Sequence, residues 1–493
     1  MCSDIKMLYG ITFTDDVQKG KLYYNTDGKC KLQNNNLFIL KKNKVDFLTF
    51  FNGFSLKKWL RYTTLKRLFL NIDIQGSSVL CVYSKERNEN TILKIIVDGP
   101  SKIEIPLQNL DNAILGIYIE PIETCIVRKV EYWGEFERYD SVNICCTICT
   151  YKRENYVKKT ISILSEFLNK NRWFQVLVVD NGQTLQTIEE ERLRIIHNPN
   201  YGGSGGFTRG MIECCNNSNC DYVLLMDDDI ALDTKAITIT HSFLSGLKKE
   251  YKDSFLAGSM LVMDNPNIQY EKAGYWKGIK GCSYGRNLDV SDKSNLYVNE
   301  NIYNDRLQFA AWWYCCIPIQ RIREIGYPLP VFIKGDDIEY SIRNNCEVIT
   351  LNGIGVWHEA FTNKLSPMIN YYSDRNMLMI NFFCDYGRLF FSIVMFLRIL
   401  RRCMMLNKKQ INVLVEALYD LRKGLYYITN NDPNVRNDYF KNIGGKSNIE
   451  LFEELCNNFI SLCLSFEEIK KEYLNFRERE LNSSQYWEKY MKY

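Results

Sequence analysis

The chain has 493 residues, of which 46% are hydrophobic and 24% are charged, and its formal net charge is +4. This length exceeds what a single hydrophobic core usually serves, so we expect two to four domains. A net charge this small gives no support for a nucleic-acid partner, which would require a strongly basic balance.

The 18 cysteines do not indicate a disulfide framework. The segment Met1–Asp15 carries acidic residues and lacks the apolar stretch of a signal peptide. Several cysteines lie inside apolar runs, where a free cysteine behaves as a small core residue. The Cys146/Cys149 pair has no second pair at zinc-ligand spacing, which argues against a zinc or redox site. We therefore expect a reducing, cytoplasmic setting.

Residues 1–140 consist of short alternating runs separated by turn signals. Four segments are predicted as strands: Asn71–Ser84, Thr91–Val97, Lys102–Pro106 and Ala113–Pro121. The absence of a long helical period favours a β-sandwich of jelly-roll type for this domain. Such a domain is suited to carbohydrate binding or, equally, to a structural or docking role.

Residues 141–365 alternate between strand and helix patterns, which predicts a doubly wound, mostly parallel sheet. The predicted strands are Val142–Cys149, Phe174–Val179, Leu193–Ile196 and Tyr222–Met226, with helices to about Asn169 and from about Thr208 to Cys215. A cluster of polar or glycine residues follows each of these strands. Because ligands of such sheets bind at the carboxyl ends of the strands, we expect these clusters to form one site.

The strongest of these clusters is the run Asp227, Asp228 and Asp229. Adjacent carboxylates repel each other, and a hard divalent cation that bridges to phosphate would neutralise them. A solvated acidic turn is the alternative for such a run taken alone.

The segment Gly202–Gly206 reads G-G-S-G-G and is predicted to open a helix. Free backbone N–H groups at a helix start can hold phosphate, and a flexible turn is the alternative. A second acidic pair, Asp336 and Asp337, also lies before a predicted helix, where it could supply a general base or simply a helix cap.

His358 is a candidate metal ligand or a structural histidine. Trp312 and Trp313 are adjacent, so in a strand one side chain would face the core. The other could stack on a sugar ring, unless both are buried.

Residues 366–493 are predicted to be helical. The apolar run Leu389–Leu400 is shorter than the roughly 20 residues needed to cross a bilayer, and Arg401 and Arg402 follow it. This pattern fits a helix that lies on an anionic membrane surface, and a buried core helix fits it equally well.

Taken in order, the motifs of residues 142–376 resemble those of the GT-A glycosyltransferases of family 2, particularly the bacterial galactofuranosyltransferases. The motifs are T-Y-K-R, D-N-G, N-Y-G-G-S-G-G-F-T-R-G-M, D-D-D-I, W-W, F-I-K-G-D-D-I-E-Y and V-W-H. The resemblance implies an α/β GT-A core, a Rossmann-like mixed sheet, between an N-terminal β-sandwich and a C-terminal helical region. It further implies an inverting, metal-dependent transfer of galactofuranose from UDP-galactofuranose to a hydroxyl of a cell-surface glycan or lipid-linked glycan.

The resemblance also assigns site residues. Asp227, Asp229 and His358 would hold Mn²⁺ or Mg²⁺, and Asp337 would be the general base. The donor would contact Thr150, Arg153, Asp180, Asn200, Gly203 and Asp228. The acceptor would contact Trp312, Trp313 and Asp336. A peripheral position at the inner face of the plasma membrane and a homo-oligomer would be compatible with this family.

Two positions depart from the mycobacterial pattern: Gly335 replaces an expected tryptophan, and Tyr275 replaces an expected acidic residue. These departures concern the acceptor and the sugar. A family 2 transferase for another nucleotide sugar, such as a rhamnosyltransferase of capsule or O-antigen synthesis, is therefore one alternative. A non-catalytic carbohydrate-binding protein is another.

Overall fold

A computed structural model describes residues 4–108, 114–278, 280–302, 308–359, 366–404 and 407–492. The amino-terminal region is built around a long antiparallel hairpin. Its elements are β1 (Asp4–Gly10), β2 (Asn25–Thr26), β3 (Cys30–Gln33), β4 (Asn36–Ile39), β5 (Val45–Asp46), α1 (Leu56–Tyr62), β6 (Leu65–Lys85), β7 (Glu89–Ile105), β8 (Ile114–Pro121) and β9 (Cys125–Phe136).

Within the described residues these strands form one hydrogen-bonded sheet of nine strands, in which β6 joins both halves. The reason is the length of β6, which pairs with β9 through residues 65–75 and with β8 through residues 78–85. Gly76, with a φ of +100°, lies where the β6–β7 pairing shifts register. Glycine tolerates this conformation, so the strand can bend while it remains continuous. The strand predicted from Ala113 begins at Ile114, and Ala113 itself lies outside the described residues.

The middle region alternates strands and helices as predicted. Its elements are β10 (Ile144–Thr150), α2 (Glu154–Lys170), β11 (Phe174–Asp180), β12 (Ile188–Glu189), β13 (Leu193–His197), α3 (Gly202–Asn216), β14 (Tyr222–Asp227), β15 (Ile230–Leu232), α4 (Lys235–Ser245), β16 (Phe255–Val262), β17 (Asn265–Glu271), β18 (Ala273–Trp276), β19 (Gly281–Tyr284), β20 (Leu288–Asp289), α5 (Lys293–Asn301), β21 (Gln308–Phe309), β22 (Tyr314–Pro318), α6 (Ile319–Ile325), α7 (Asp336–Asn344) and β23 (Val348–His358).

The central sheet of this region is mixed. Its strand order is β12-β13-β11-β10-β14-β22-β16-β17-β20, and β23 joins through β16. The neighbours β13, β11, β10 and β14 are parallel, whereas β22 runs antiparallel to β14. The parallel part therefore places the carboxyl ends of consecutive βα units at one edge of the sheet.

Alternate residues of the central strands enter two different cores. Cys146, Ile148 and Leu224 belong to a cluster that also contains α2, α4 and the amino-terminal sheet. Cys145 and Val223 belong to a cluster that contains α3, α6 and the carboxyl-terminal helices. Because both faces of the sheet are covered, its strands are nearly continuous apolar runs.

The carboxyl-terminal region is helical, as predicted. It consists of α8 (Pro367–Met379), α9 (Arg388–Met404), α10 (Lys408–Lys423), α11 (Leu425–Asn430), α12 (Pro433–Lys441), α13 (Asn448–Leu464), α14 (Phe466–Glu480) and α15 (Gln485–Met491). Trp487 of α15 is fully buried in the core that it shares with the central sheet. This region therefore packs against the central sheet of the middle region.

We expect Trp59→Ala to lower the free energy of unfolding by about 3–5 kcal/mol, because an aromatic side chain is lost from a core. Trp59 is 1% exposed and contacts Phe54 of the amino-terminal region and Phe243 of α4. Denaturant unfolding followed by tryptophan fluorescence measures the effect. Trp133→Ala, which removes a partly exposed indole from β9, is the matched control. An equal loss of unfolding free energy in both variants would contradict the packing of Trp59 in a core that the two regions share.

Candidate active site

The strand register brings the predicted polar clusters together. Thr150, the last residue of β10, lies beside Asp180 of β11. On the other side of β10, Cys149 lies beside Asp227 of β14. Three clusters that are far apart in the chain therefore meet at the carboxyl edge of the parallel strands, as the alternating pattern predicts.

The acidic run is partly neutralised by the motif that follows β10. The Thr150 hydroxyl donates to Asp228 Oδ2 over 2.7 Å. The Arg153 guanidinium donates to Asp228 Oδ1 over 3.2 Å and to Asp229 Oδ2 over 2.6 Å. Burial raises the pKa of Asp228 to about 6, although the Thr150 hydrogen bond and the Arg153 charge act in the opposite direction. Thr150, Arg153 and Asp228 thus form one connected unit.

His358 reaches the acidic run because β23 pairs with β15, which places His358 opposite Ile230. Its Nε2 lies 3.0 Å from Asp229 Oδ1 and 3.5 Å from Asp227 Oδ2. Burial by itself lowers the pKa of His358, but hydrogen bonds to Asp227 and Asp229 and their charges outweigh burial and raise the pKa to about 10.

One ligand atom from each of Asp227, Asp229 and His358 lies within 4.8 Å of the others. Two carboxylates and an imidazole are a donor set that suits Mn²⁺ or Mg²⁺ bound with additional oxygen ligands. The carboxylates repel each other unless a positive charge lies between them, so the residues fit a divalent cation. The His358 ring is 2% exposed, whereas the Asp227 side chain is 32% exposed, so Asp227 marks the open side of this cluster.

Asp336 and Asp337 begin α7 and face the same edge of the sheet. Asp336 is 8% exposed and Asp337 is partly buried. Burial is the main cause that raises the pKa of both carboxyls. The charge of Asp337 also raises the pKa of Asp336, and the charge of Asp227 raises the pKa of Asp337. The influence of the Asp227 charge indicates that the acidic pair lies near the Asp227–Asp229–His358 cluster. An acidic pair with raised pKa values is suited to accept a proton near neutral pH.

The glycine-rich segment opens a helix, as predicted, and α3 begins at Gly202, earlier than the expected start near Thr208. A Cβ atom on Gly202 would lie 2.2 Å from Phe332 O, and one on Gly206 would lie 2.1 Å from Cys149 Sγ. These glycines therefore permit close packing of α3. A Cβ atom on Gly203, by contrast, would meet nothing within 4 Å outside the backbone of its own helix.

Two predicted donor-binding residues have other partners in the structure. Asp180 is fully buried, and its carboxylate accepts hydrogen bonds from the backbone N–H groups of Gly182, Thr184 and Leu185. This carboxylate organises the loop after β11, because all three donors come from that loop. Asn200 accepts a hydrogen bond from Gly202 N–H and approaches Asn434 of α12 at 3.3 Å.

Trp312 and Trp313 occupy opposite faces of the sheet but are both buried, at 5% and 6% exposure. Trp312 packs edge-on against Phe207, and the Trp313 indole N–H donates to Gly258 O. Both side chains therefore follow the alternative in which the pair is buried, and a contact of either one with the acceptor stays a prediction.

Sequence reasoning missed Glu271, the last residue of β17. It is 8% exposed, it accepts a hydrogen bond from Ser283, and burial together with the Asp337 charge raises its pKa. The antiparallel strands that bring it near Asp337 leave no short-range signal in the sequence, so pattern analysis had no means of finding it.

Comparisons with known proteins match this architecture. Residues 145–262 match the model of glycosyl transferase family 2, and residues 6–119 match that of the galactofuranosyltransferase 2 N-terminal domain. The galactofuranosyltransferase GlfT2 of Mycolicibacterium smegmatis is 26% identical over 367 residues, covering 66% of this chain and 55% of that protein. GlfT2 of Mycobacterium tuberculosis is 26% identical over 366 residues, covering 66% of this chain and 56% of that protein.

A crystal structure of residues 1–349 of TarS from S. aureus, in complex with UDP-GlcNAc, is 12% identical. That match covers 66% of this chain and 92% of that chain, with a TM-score of 0.38.

Residues 145–262 of the chain therefore match a glycosyltransferase domain of family 2. In particular, it combines this domain with an amino-terminal domain of the galactofuranosyltransferase type, and it is similar to the two mycobacterial galactofuranosyltransferases. It spans about half the length of these curated relatives.

We expect Mn²⁺ to raise the melting temperature of the protein relative to EDTA, because an ion bound only by the folded state stabilises that state by mass action. Differential scanning fluorimetry over a Mn²⁺ titration measures the shift. Asp229→Asn and His358→Asn should each remove most of it, since both residues belong to the cluster of ligand atoms. Asp253→Asn, which changes an exposed carboxylate, should retain it. A full shift in the His358 variant would exclude His358 as a ligand.

Proposed function

We propose that the protein is an inverting, metal-dependent glycosyltransferase that transfers a sugar from a nucleotide-sugar donor to a hydroxyl of a glycan. The observation that carries the proposal is the proximity of two acidic groups with different chemistry. One is the Asp227–Asp229–His358 cluster, whose atoms are spaced for a cation, and the other is the Asp336–Asp337 pair with raised pKa values.

The donor side is the edge formed by β10 and β14. A Mn²⁺ or Mg²⁺ ion held there would stabilise the negative charge of the departing diphosphate. Arg153 fixes the orientation of Asp228 and Asp229 and adds a positive charge on the same side. Gly203, at the positive end of α3, offers an unobstructed backbone to a phosphate. Thr150 acts through Asp228, while Asp180 and Asn200 shape the adjoining loops for the nucleotide.

Asp337 is the base that we assign to the acceptor hydroxyl. It is more exposed than Asp336, so a hydroxyl can reach it, and its pKa is raised mainly by burial. Removal of the proton from the hydroxyl makes that oxygen a better nucleophile towards the anomeric carbon. Asp336 is a second carboxylate next to the base. On this proposal, Asp336 and Glu271 line the acceptor side near Asp337.

We infer UDP-galactofuranose as the donor from the similarity to the two galactofuranosyltransferases and from the matching amino-terminal domain. The acceptor on this proposal is a lipid-linked or cell-surface glycan. Another nucleotide sugar, such as dTDP-rhamnose, is the second candidate, and the departures at Gly335 and Tyr275 favour keeping it in the test.

A donor panel tests the proposal. The purified protein is incubated with Mn²⁺, crude lipid-linked glycan and single nucleotide sugars, and the released nucleotide is measured. We expect turnover with UDP-galactofuranose and its loss in EDTA. Turnover with another donor alone would preserve the mechanism and replace the sugar. Full turnover in EDTA would remove the cation from the mechanism.

We expect Asp337→Asn to reduce transfer by at least about 100-fold, because asparagine cannot take up the proton. Binding of UDP should be unchanged in calorimetry. The wild-type rate should fall as the pH drops through the raised pKa range of the acidic pair, since the base is lost when it is protonated. Asp253→Asn is the control. An active Asp337→Asn variant would reject Asp337 as the base.

The two helices α9 and α13 expose a continuous apolar surface, which we propose as a contact with an anionic membrane. The Ser392 hydroxyl contacts Cys463 and Phe396 contacts Phe459, so the helices are antiparallel neighbours. The exposed apolar side chains beside this seam are Leu389, Ile393, Phe396, Leu397, Leu400 and Met404 on α9 and Ile449, Phe452, Ile460 and Leu464 on α13.

The basic residues predicted beside this surface separate into two groups. Arg398 and Arg402 pair with Asp374 and serve the fold, whereas Arg401 and the Lys408–Lys409 pair are exposed. Exposed apolar side chains with an exposed basic flank fit a lipid surface with negative headgroups. Across the described ranges, no helix combines the length and apolar character needed to cross a membrane.

We expect the triple change Phe396→Ser, Leu400→Ser and Phe452→Ser to reduce flotation with vesicles that contain phosphatidylglycerol. Val17→Ser with Ile96→Ser, which alters exposed apolar side chains of the amino-terminal region, is the control and should float as the wild type does. Unchanged flotation of the triple variant would reject the membrane contact. If the change instead converts an oligomer to a monomer in light scattering, the surface is a subunit interface.

A further inference from the structure

The segment of residues 331–335, which precedes the acidic pair, has an energetically unfavourable backbone conformation. Phe332, Lys334 and Gly335 have φ angles of +73°, +66° and +85°, and Asp336 follows directly. Left-handed conformations of residues other than glycine cost of the order of 1–3 kcal/mol each and persist where surrounding contacts fix them. The direction in which α7 presents Asp336 and Asp337 therefore depends on what holds this segment.

Asn376 of α8 is the central contact. Its side-chain nitrogen donates to Lys334 O over 2.7 Å and to Ile333 O over 2.9 Å, and it lies 3.3 Å from Val331 O. Asn376 is 1% exposed, so its amide is shielded from water on its own side of the segment. Its two amide hydrogens satisfy the two nearest carbonyls, which flank the left-handed Lys334.

The orientation of this amide is itself fixed. Asn376 Oδ1 accepts from Arg375 Nε over 2.8 Å, and Arg375 Nη2 donates to Val331 O over 3.0 Å. Because Arg375 can only donate, Asn376 must direct its oxygen to Arg375 and its nitrogen to the segment.

The opposite side of the segment is held by α3. The Ser204 N–H donates to Phe332 O over 3.0 Å, and its hydroxyl donates to Leu329 O. Gly202 permits this approach, because a Cβ there would lie 2.2 Å from Phe332 O. The segment is therefore clamped between the helix that borders the donor site and the first helix of the carboxyl-terminal region.

We propose that Asn376 is a positioning residue that fixes Asp337 for proton uptake by holding the backbone of residues 331–335. The inference rests on the proposed transfer reaction and adds the carboxyl-terminal helices to its machinery. Displacement of a reacting group by about 1 Å can reduce a rate by about 100-fold, so loss of the clamp should act on catalysis more than on donor binding.

The test uses Asn376→Ala in the full chain, with Asn381→Ala as the matched control. Asn381 is also a buried asparagine just after α8, but its amide donates to Met377 O and Leu378 O within its own helical region. We expect kcat to fall by at least about tenfold in Asn376→Ala, with the KM for the donor within about twofold of wild type. Asn381→Ala should retain kcat even where its melting temperature falls equally.

Hydrogen exchange measured by mass spectrometry gives a readout that needs no turnover. Amides of residues 331–337 should exchange faster in Asn376→Ala, and the rest of the chain should not. If Asn376→Ala does not fold, Ser204→Ala replaces it and should show the same local exchange with a smaller loss of kcat. Unchanged kcat, or an equal loss in Asn381→Ala, would overturn the proposal. Absence of transfer by the wild type would reject the proposed function instead, and the exchange data would still decide whether Asn376 holds the segment.

Discussion

Repulsion among carboxylates at one edge of the central sheet is the constraint that shapes this protein. Asp227 ends β14, and Asp228 and Asp229 follow it in a turn. The Asp336–Asp337 pair lies close enough for the Asp227 charge to raise the pKa of Asp337. Arg153 balances part of this charge through two ion pairs. The proposed cation site and, through it, the proposed site for an anionic diphosphate both depend on the negative charge that remains.

The other elements hold these charges at fixed distances. The amino-terminal sheet shares a core with one face of the central sheet, and the carboxyl-terminal helices share a core with the other. The strand that leads into the acidic run is therefore packed on both faces. This packing keeps the carboxylates from moving apart to relieve their repulsion. Because these carboxylates are held rigidly, their charges are already in place and need not rearrange during a reaction.

The two acidic groups are held in different ways, which agrees with their different proposed roles. The cation cluster lies on paired strands, where register fixes His358 opposite Ile230. The base lies at the start of a helix whose approach is set by left-handed residues and by side chains from α3 and α8. The proposed base is therefore placed by long-range contacts, and its geometry depends in part on α8, a helix that contains none of the predicted site residues.

Hydrophobic periodicity and the residues after each strand determined the α/β alternation, the edge at which ligands gather, and the candidates Thr150, Arg153, Asp227 and Asp337. These signals are local, because strands and helices are encoded by neighbours within a few residues. Only the tertiary structure decided that the Asp180 carboxylate accepts hydrogen bonds from the loop that follows it. Only the tertiary structure decided, too, that both Trp312 and Trp313 are buried. It alone brought Glu271 near the base and Asn376 to the segment before it. Such contacts join residues that are distant in the chain, and a single sequence contains no periodic pattern that records them.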